Sequence, residues 1–155
     1  MGESATRKPR FNHVAMSVSP GLLDEKGRKD ICDFYGDVFG WRELPTETLD
    51  RKRLVLQVHT IDQFVFLVSD ENPMACPRLD HYGLSVTTED ALDEILAKAK
   101  AFKEQDSRVD IVDKELTDHG MLAITSIYIG YLLPMMVEIQ YWKFADADAD
   151  AQAKA

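Results

Sequence analysis

Two periodicities alternate along the chain. Residues 12–18, Asn-His-Val-Ala-Met-Ser-Val, alternate small or polar positions with apolar ones, the period of a half-buried strand. His13, Ala15 and Ser17 therefore share one face, and Val14, Met16 and Val18 the other. A histidine flanked by small residues faces a hollow, whereas the bulkier face can pack on a helix. Pro20-Gly21 breaks the strand, and the stretch from about Leu22 to Phe39 sets Ile31, Phe34, Tyr35 and Val38 at helical spacing, with Gly40 as its stop. Strands are predicted next at Trp41 to Leu44, Arg53 to His59 and Gln63 to Ser69.

The same order then recurs. Residues 80–86, Asp-His-Tyr-Gly-Leu-Ser-Val, repeat the first strand with His81, Gly83 and Ser85 opposing Tyr82, Leu84 and Val86. A helix follows from about Glu89 to Lys103, with Leu92, Ile95, Leu96 and Ala99 as its apolar stripe and Thr87 or Thr88 as its cap. Strands are predicted at Val109 to Leu116, Leu122 to Gly130 and Met135 to Trp142. The expected fold class is α+β, with two βαβββ modules forming a half-open barrel around a cup. The first module spans 11–70 and the second 78–144, joined by a linker at 71–77. Residues 1–10 are expected to be a flexible tail and 145–155 a disordered acidic one.

Composition narrows the partners. With 155 residues, 45% of them hydrophobic, the chain can bury a core as one domain or as two halves sharing it. A net charge of −9 argues against nucleic acid, whose phosphates need a basic face, and the Arg7, Lys8, Arg10 run is too short to supply one. Cys32 and Cys76 lack metal spacing, and nothing at the start reads as a secretory signal, so a reduced, cytoplasmic protein is expected. Even Met121 to Tyr131, broken by Thr125, Ser126 and Gly130, is too short to span a bilayer.

The repeat also carries chemistry. If a pseudo-twofold axis relates the halves, each histidine has a partner on the last strand of its module, and these are Gln63 and Glu138. Gln63 would share a face with Val65 and Leu67, and Glu138 with Met136, Gln140 and Trp142. A lone strand histidine is more often structural than a ligand, and a lone carboxylate near a chain end is usually solvated. Two histidines in register with a glutamate on the partner strand outweigh those readings. His13, His81, Glu138 and Gln63 would suit a divalent ion, one of Fe, Mn, Co, Ni or Zn, rather than a cysteine-rich structural zinc. Such a site keeps positions open for two substrate oxygens, the arrangement that polarises a carbonyl and stabilises an enolate or diolate.

From Phe11 to Trp142 these residues resemble the vicinal oxygen chelate superfamily, which includes glyoxalases, fosfomycin- and bleomycin-resistance proteins, extradiol dioxygenases and methylmalonyl-CoA epimerases. Asn12-His13-Val14-Ala15 and Phe39-Gly40-Trp41-Arg42-Glu43-Leu44 are similar to the epimerases, as is the His/Gln/His/Glu set. The resemblance implies a metal-dependent enzyme for a small oxygenated substrate, with isomerase, epimerase or lyase chemistry, assembled as a homodimer because the modules leave open sheet edges. It departs from the epimerases on the third strand, Arg53 to His59, which lacks their second carboxylate base and leaves His59, Glu43 or Glu47 as substitutes. Glu138 would serve as ligand and base.

A second implied reading is Fe(II) ring cleavage, because His119, Tyr128 and Glu138 resemble the end of the extradiol dioxygenase signature, in which the His and Tyr are acid/base and hydrogen-bonding groups. That signature's acid-Pro and following Gly are replaced here by Tyr131-Leu132 and Leu133-Pro134. A third is a non-catalytic protein that binds drugs between aromatic walls such as Trp41, Tyr128, Tyr131 and Trp142.

Overall fold

The computed structural model describes residues 9–44 and 51–145. Most of both expected tails, and Glu47, lie outside these residues. The first module runs β1 (His13–Val18), a 3-10 turn (Pro20–Leu23), α1 (Glu25–Phe39), β2 (Arg42–Glu43), β3 (Arg53–Gln57) and β4 (Phe64–Ser69). The second runs β5 (His81–Val86), α2 (Glu89–Gln105), β6 (Asp110–Asp118), β7 (Leu122–Gly130) and β8 (Met136–Phe144).

The strands form two four-stranded sheets of the same topology, ordered β1-β4-β3-β2 and β5-β8-β7-β6. β1 lies parallel to β4 and β5 parallel to β8, as the crossover through a helix requires, and the remaining pairs are antiparallel. The α+β fold of two βαβββ modules is therefore present. β1 and β5 each end a sheet, with a partner on one side only.

The helices end where the local chemistry allows. α1 begins later than the apolar spacing suggests, because Pro20 favours the tight 3-10 turn and the Asp24 carboxylate then accepts from the Gly27 amide at 2.7 Å. It stops at Gly40, whose φ of 72° is left-handed. α2 is capped by Thr88, whose hydroxyl accepts from Ala91 N at 3.2 Å.

Both modules share one core. Phe34 of α1 meets Phe102 of α2 edge-on at 5.0 Å and Tyr131 at 4.4 Å, and the Tyr35 hydroxyl donates to the Tyr131 carbonyl at 3.0 Å. At its rim Arg108 bonds Asp106 at 2.6 Å and Asp30 of α1 at 2.9 Å, tying the second module to the first helix. The linker is held as well, Met74 N donating to Ser17 Oγ and the Cys76 thiol to the Pro134 carbonyl, both at 2.8 Å. Among the described residues no helix is long and apolar enough to cross a membrane.

Candidate metal site

With Met16, Val18, Tyr82 and Leu84 turned towards the helices, alternation leaves His13 and His81 on the opposite sheet faces. In the second sheet Gly83 pairs with Glu138, and Glu138 with Tyr128, across three adjacent strands. His81 therefore sits one alternation before Gly83 on the same face as Glu138, and its Nε2 lies 3.3 Å from Glu138 Oε2.

The histidine is held in one tautomer. Its Nδ1 is 2.7 Å from the Leu79 carbonyl, which can only accept, so Nδ1 carries a proton and Nε2 is the ring atom turned towards the carboxylate. Two lone-pair atoms 3.3 Å apart need a cation or a proton between them. Ligand atoms about 2.1 Å from one ion stand about 3.0 Å apart at a right angle and about 3.4 Å apart at the tetrahedral angle, so the spacing fits a shared metal.

Glu138 is 6% exposed and supported from two sides. Gln140 Nε2 donates to its Oε1 at 2.9 Å, while Gln140 Oε1 accepts from the Trp142 indole at 2.8 Å. An indole N–H only donates and a carboxylate only accepts, so the amide is fixed in this direction. Burial and a hydrogen bond to Glu138 push the Tyr128 phenol above the ordinary tyrosine range, and its ring meets His81 edge-on at 5.0 Å. Gly83 lies beside the other oxygen, where a Cβ would come to 3.4 Å from Oε2, an ordinary van der Waals contact.

The first module offers a plainer counterpart. His13 Nδ1 donates to Asn12 Oδ1 at 2.8 Å, and its ring lies flat on Phe64 at 4.9 Å. The strand register corrects the expected partner of this histidine. Ala15 pairs with Phe66 and Phe66 with Val55, so Phe66 stands where the second module has Glu138, and Val55 where it has Tyr128. Gln63 precedes β4 and shares parity with Val65 and Leu67, which are buried in the core. Its side chain accepts from the Thr60 hydroxyl at 3.0 Å, and it lines the same cleft as Asn12 and Phe64.

Within one chain the described residues bring no three His, Cys, Asp or Glu side chains to a common point. His81 and Glu138 meet on the second sheet and His13 lies on the first, and none of the three lines the cleft of about 610 Å³ between the modules. Asn12 and Phe64, which touch His13, line this cleft, and so does Gly83 beside Glu138.

The remaining candidates lie elsewhere. His119 is exposed in the β6–β7 turn, its amide bonded to the Leu122 carbonyl, and β7 carries that end about 20 Å from Tyr128. A Gly120 with φ of 82° explains the histidine there as part of a tight turn. His59 is exposed on the cleft rim, apart from Glu138. Glu43 pairs with Arg28 at 2.9 Å on the far side of the first sheet. Cys32 is no nucleophile, since burial pushes its thiol up to about 11. The supporting roles of Gln140 and Gly83 went unassigned in the sequence, although the shared parity of 138, 140 and 142 is the signal that identifies the first.

No protein-family model and no curated protein matches the chain. Solved structures do. The fosfomycin resistance protein FosX from Listeria monocytogenes, in complex with Mn(II) and sulfate, has a TM-score of 0.59 at 12% identity, covering 94% of this chain and 98% of its own. Lactoylglutathione lyase from Agrobacterium tumefaciens has a TM-score of 0.58 at 15% identity, covering 86% and 94%. A glyoxalase/bleomycin resistance protein from Albidiferax ferrireducens has 0.58 at 11%, covering 84% and 97%. The chain therefore shares the paired βαβββ fold of these structures.

Proposed function

We propose that the protein is a divalent-metal-dependent enzyme acting on a small molecule through vicinal oxygens, with isomerase or lyase chemistry of the glyoxalase type. The observation that carries this reading is the 3.3 Å approach of His81 Nε2 to Glu138 Oε2, with the opposite ring nitrogen pinned by the Leu79 carbonyl. The donor set, imidazole and carboxylate without thiolate, suits Mn, Fe, Co, Ni or Zn. Bound there, such an ion would polarise two oxygens of a substrate. The third ligand we assign is His13, which one chain does not by itself bring to the His81–Glu138 pair among the described residues, and Phe66 in place of a fourth leaves the set at three.

The chain's own groups then have distinct tasks. Gln140 holds Glu138 by one oxygen, so that the other is the ligand. The Tyr128 phenol stays protonated through the neutral range and can give its proton to an oxygen that gains charge. Epimerisation needs proton transfer on both faces, and β3 (Arg53–Gln57) carries no carboxylate for the second face, so one-face isomerase or lyase chemistry ranks above it. The ring-cleavage reading loses its supporting histidine with His119 in a distant turn. The open edges of β1 and β5 border the cleft and favour a homodimer.

The test is exchange of substrate C–H for deuterium. The metal-free protein, loaded anaerobically with each of the five ions, is incubated with 2-hydroxyacetophenone in D₂O and followed by NMR. Metal-dependent exchange that disappears in a folded His81→Ala variant is the expected result. Exchange that is indifferent to metal, or stoichiometric metal retained by His81→Ala, would overturn the reading.

A further inference from the structure

One side of β5 is an open strand edge. Met136 N donates to the Asp80 carbonyl at 2.9 Å, and His81 pairs with Met136. In a parallel ladder that bond assigns the main chain of residues 80, 82, 84 and 86 to β8 and turns the N–H and C=O groups of residues 81, 83 and 85 the other way. No strand pairs with β5 on that side. The matching edge of β1 differs, because the linker covers it: Met74 N donates to the Ser17 carbonyl at 3.2 Å and to Ser17 Oγ at 2.8 Å. Proteins ordinarily blunt an open edge with charge or proline, and His81–Val86 contains no Lys, Arg, Asp, Glu or Pro.

The cleft between the modules runs along this edge. Every residue from 82 to 87 lines it. Gly83 has no side chain, so its main chain is what meets the space. Phe39, Trp41, Leu84, Val86 and Ile139 add apolar and aromatic walls, and among the described lining residues there is no Asp, Glu, Lys or Arg. The volume of about 610 Å³ falls within the roughly 300–1,000 Å³ of small-molecule sites, which combine such walls with a few placed polar groups.

We infer that this cleft is a second ligand site, separate from the metal residues, for an uncharged amide of one or two peptide units bearing an apolar side group. The ligand lies along β5 as a short added strand. Its N–H donates to the Gly83 carbonyl, and its C=O accepts from the Ser85 N–H, groups that β8 leaves unpaired. The side group packs on the apolar walls. A charged ligand would lose its hydration there without gaining a partner. Because His13, His81 and Glu138 do not line the cleft, binding needs no metal.

The probe is N-acetylphenylalaninamide, titrated by calorimetry into the metal-free protein and followed by amide hydrogen exchange in NMR. Without it the Gly83 and Ser85 amides are expected to exchange quickly, and those of Tyr82 and Leu84, which face β8, slowly. The probe is expected to slow Ser85 at least tenfold. N-acetylphenylalanine, which carries a carboxylate, and the N-methylated amide, which lacks the donor, are each expected to bind at least tenfold more weakly. Ser85→Pro removes the edge N–H and spares the ladder, a position at which edge strands accept proline, and is expected to cost at least tenfold in affinity. Ser85→Ala keeps the N–H and is expected to bind within twofold of the unmodified chain.

No binding, unchanged exchange at Ser85, equal affinity for the acid or the N-methylated amide, or undiminished affinity in a folded Ser85→Pro would each overturn the inference. If Ser85→Pro does not fold, exchange at Ser85 and the N-methylated ligand decide. Slow exchange at Gly83 and Ser85 before the probe is added would show a second copy of the chain covering the edge, and would also overturn it, as would binding that requires Mn(II). Metal binding without probe binding sinks this site and leaves the proposed metal site standing.

Discussion

Replacing Glu138 with glutamine separates metal binding from folding. The carboxylate is 6% exposed and accepts from Gln140 at 2.9 Å, and a glutamine oxygen can keep that bond. The amide nitrogen would then face His81 Nε2 at the present 3.3 Å and donate to its lone pair. One buried charge is lost and one hydrogen bond gained, so stability should change by no more than about 1 kcal/mol in either direction. Metal affinity has no such compensation. The variant offers a neutral donor whose nitrogen cannot coordinate, and the loss should be at least a hundredfold, above the roughly 10–100-fold that follows disruption of a ligand's supporting partner.

Thermal unfolding with and without Mn(II), Co(II), Ni(II) or Zn(II) reads both effects. At a hundredfold excess over Kd, a ligand that binds only the folded state adds about 2.7 kcal/mol, roughly 5–10 °C in Tm for a chain of this length. Wild type should show that rise with at least one ion, and Glu138→Gln none, their metal-free curves nearly coinciding. A variant that gains the full shift would refute the assignment of Oε2 as a ligand. A wild type that gains none with any ion would refute the site.

Other outcomes follow from the same geometry. His13→Ala should weaken metal binding about tenfold or more by calorimetry without abolishing it, because His81 and Glu138 remain paired, whereas Gln63→Ala, on a turn bonded to Thr60, should change it less than threefold. Spectroscopic alkaline titration should find a tyrosine ionising above the free amino acid, and that transition should vanish in Tyr128→Phe; because the folded value is raised, the associated stability is present below pH 10 and lost as pH rises through it. Asp106 is held well below the ordinary carboxylate range, chiefly by Arg108 and then by Tyr131, so its contribution is present above the unfolded value and lost as pH falls through the folded one. Asp106→Asn should therefore lower Tm at neutral pH, and the gap should close in strong acid.

Alternation by itself determined much of the outcome. In Asn12 to Val18 and Asp80 to Val86 every second residue is large and apolar, so strand, faces and both histidines were legible, and the second module's Glu138 followed from the parity of 136 to 142. The run Phe64-Val65-Phe66-Leu67-Val68 is apolar at every position and carries no such signal. There only pairing with β1 decides which residues face outward, and it set Phe66, not Gln63, opposite Ala15. His119 failed for a related reason: a signature gives order along the chain, whereas nine paired residues in β7 convert that order into distance. The separation of His13 from the His81–Glu138 pair was likewise invisible, because it depends on how one core, closed by Phe34 on Phe102 and Tyr131, seats two sheets against each other. Local periodicity specifies each sheet, since strand geometry turns alternate residues to opposite faces. The space between the sheets belongs to packing, which no single stretch of sequence encodes.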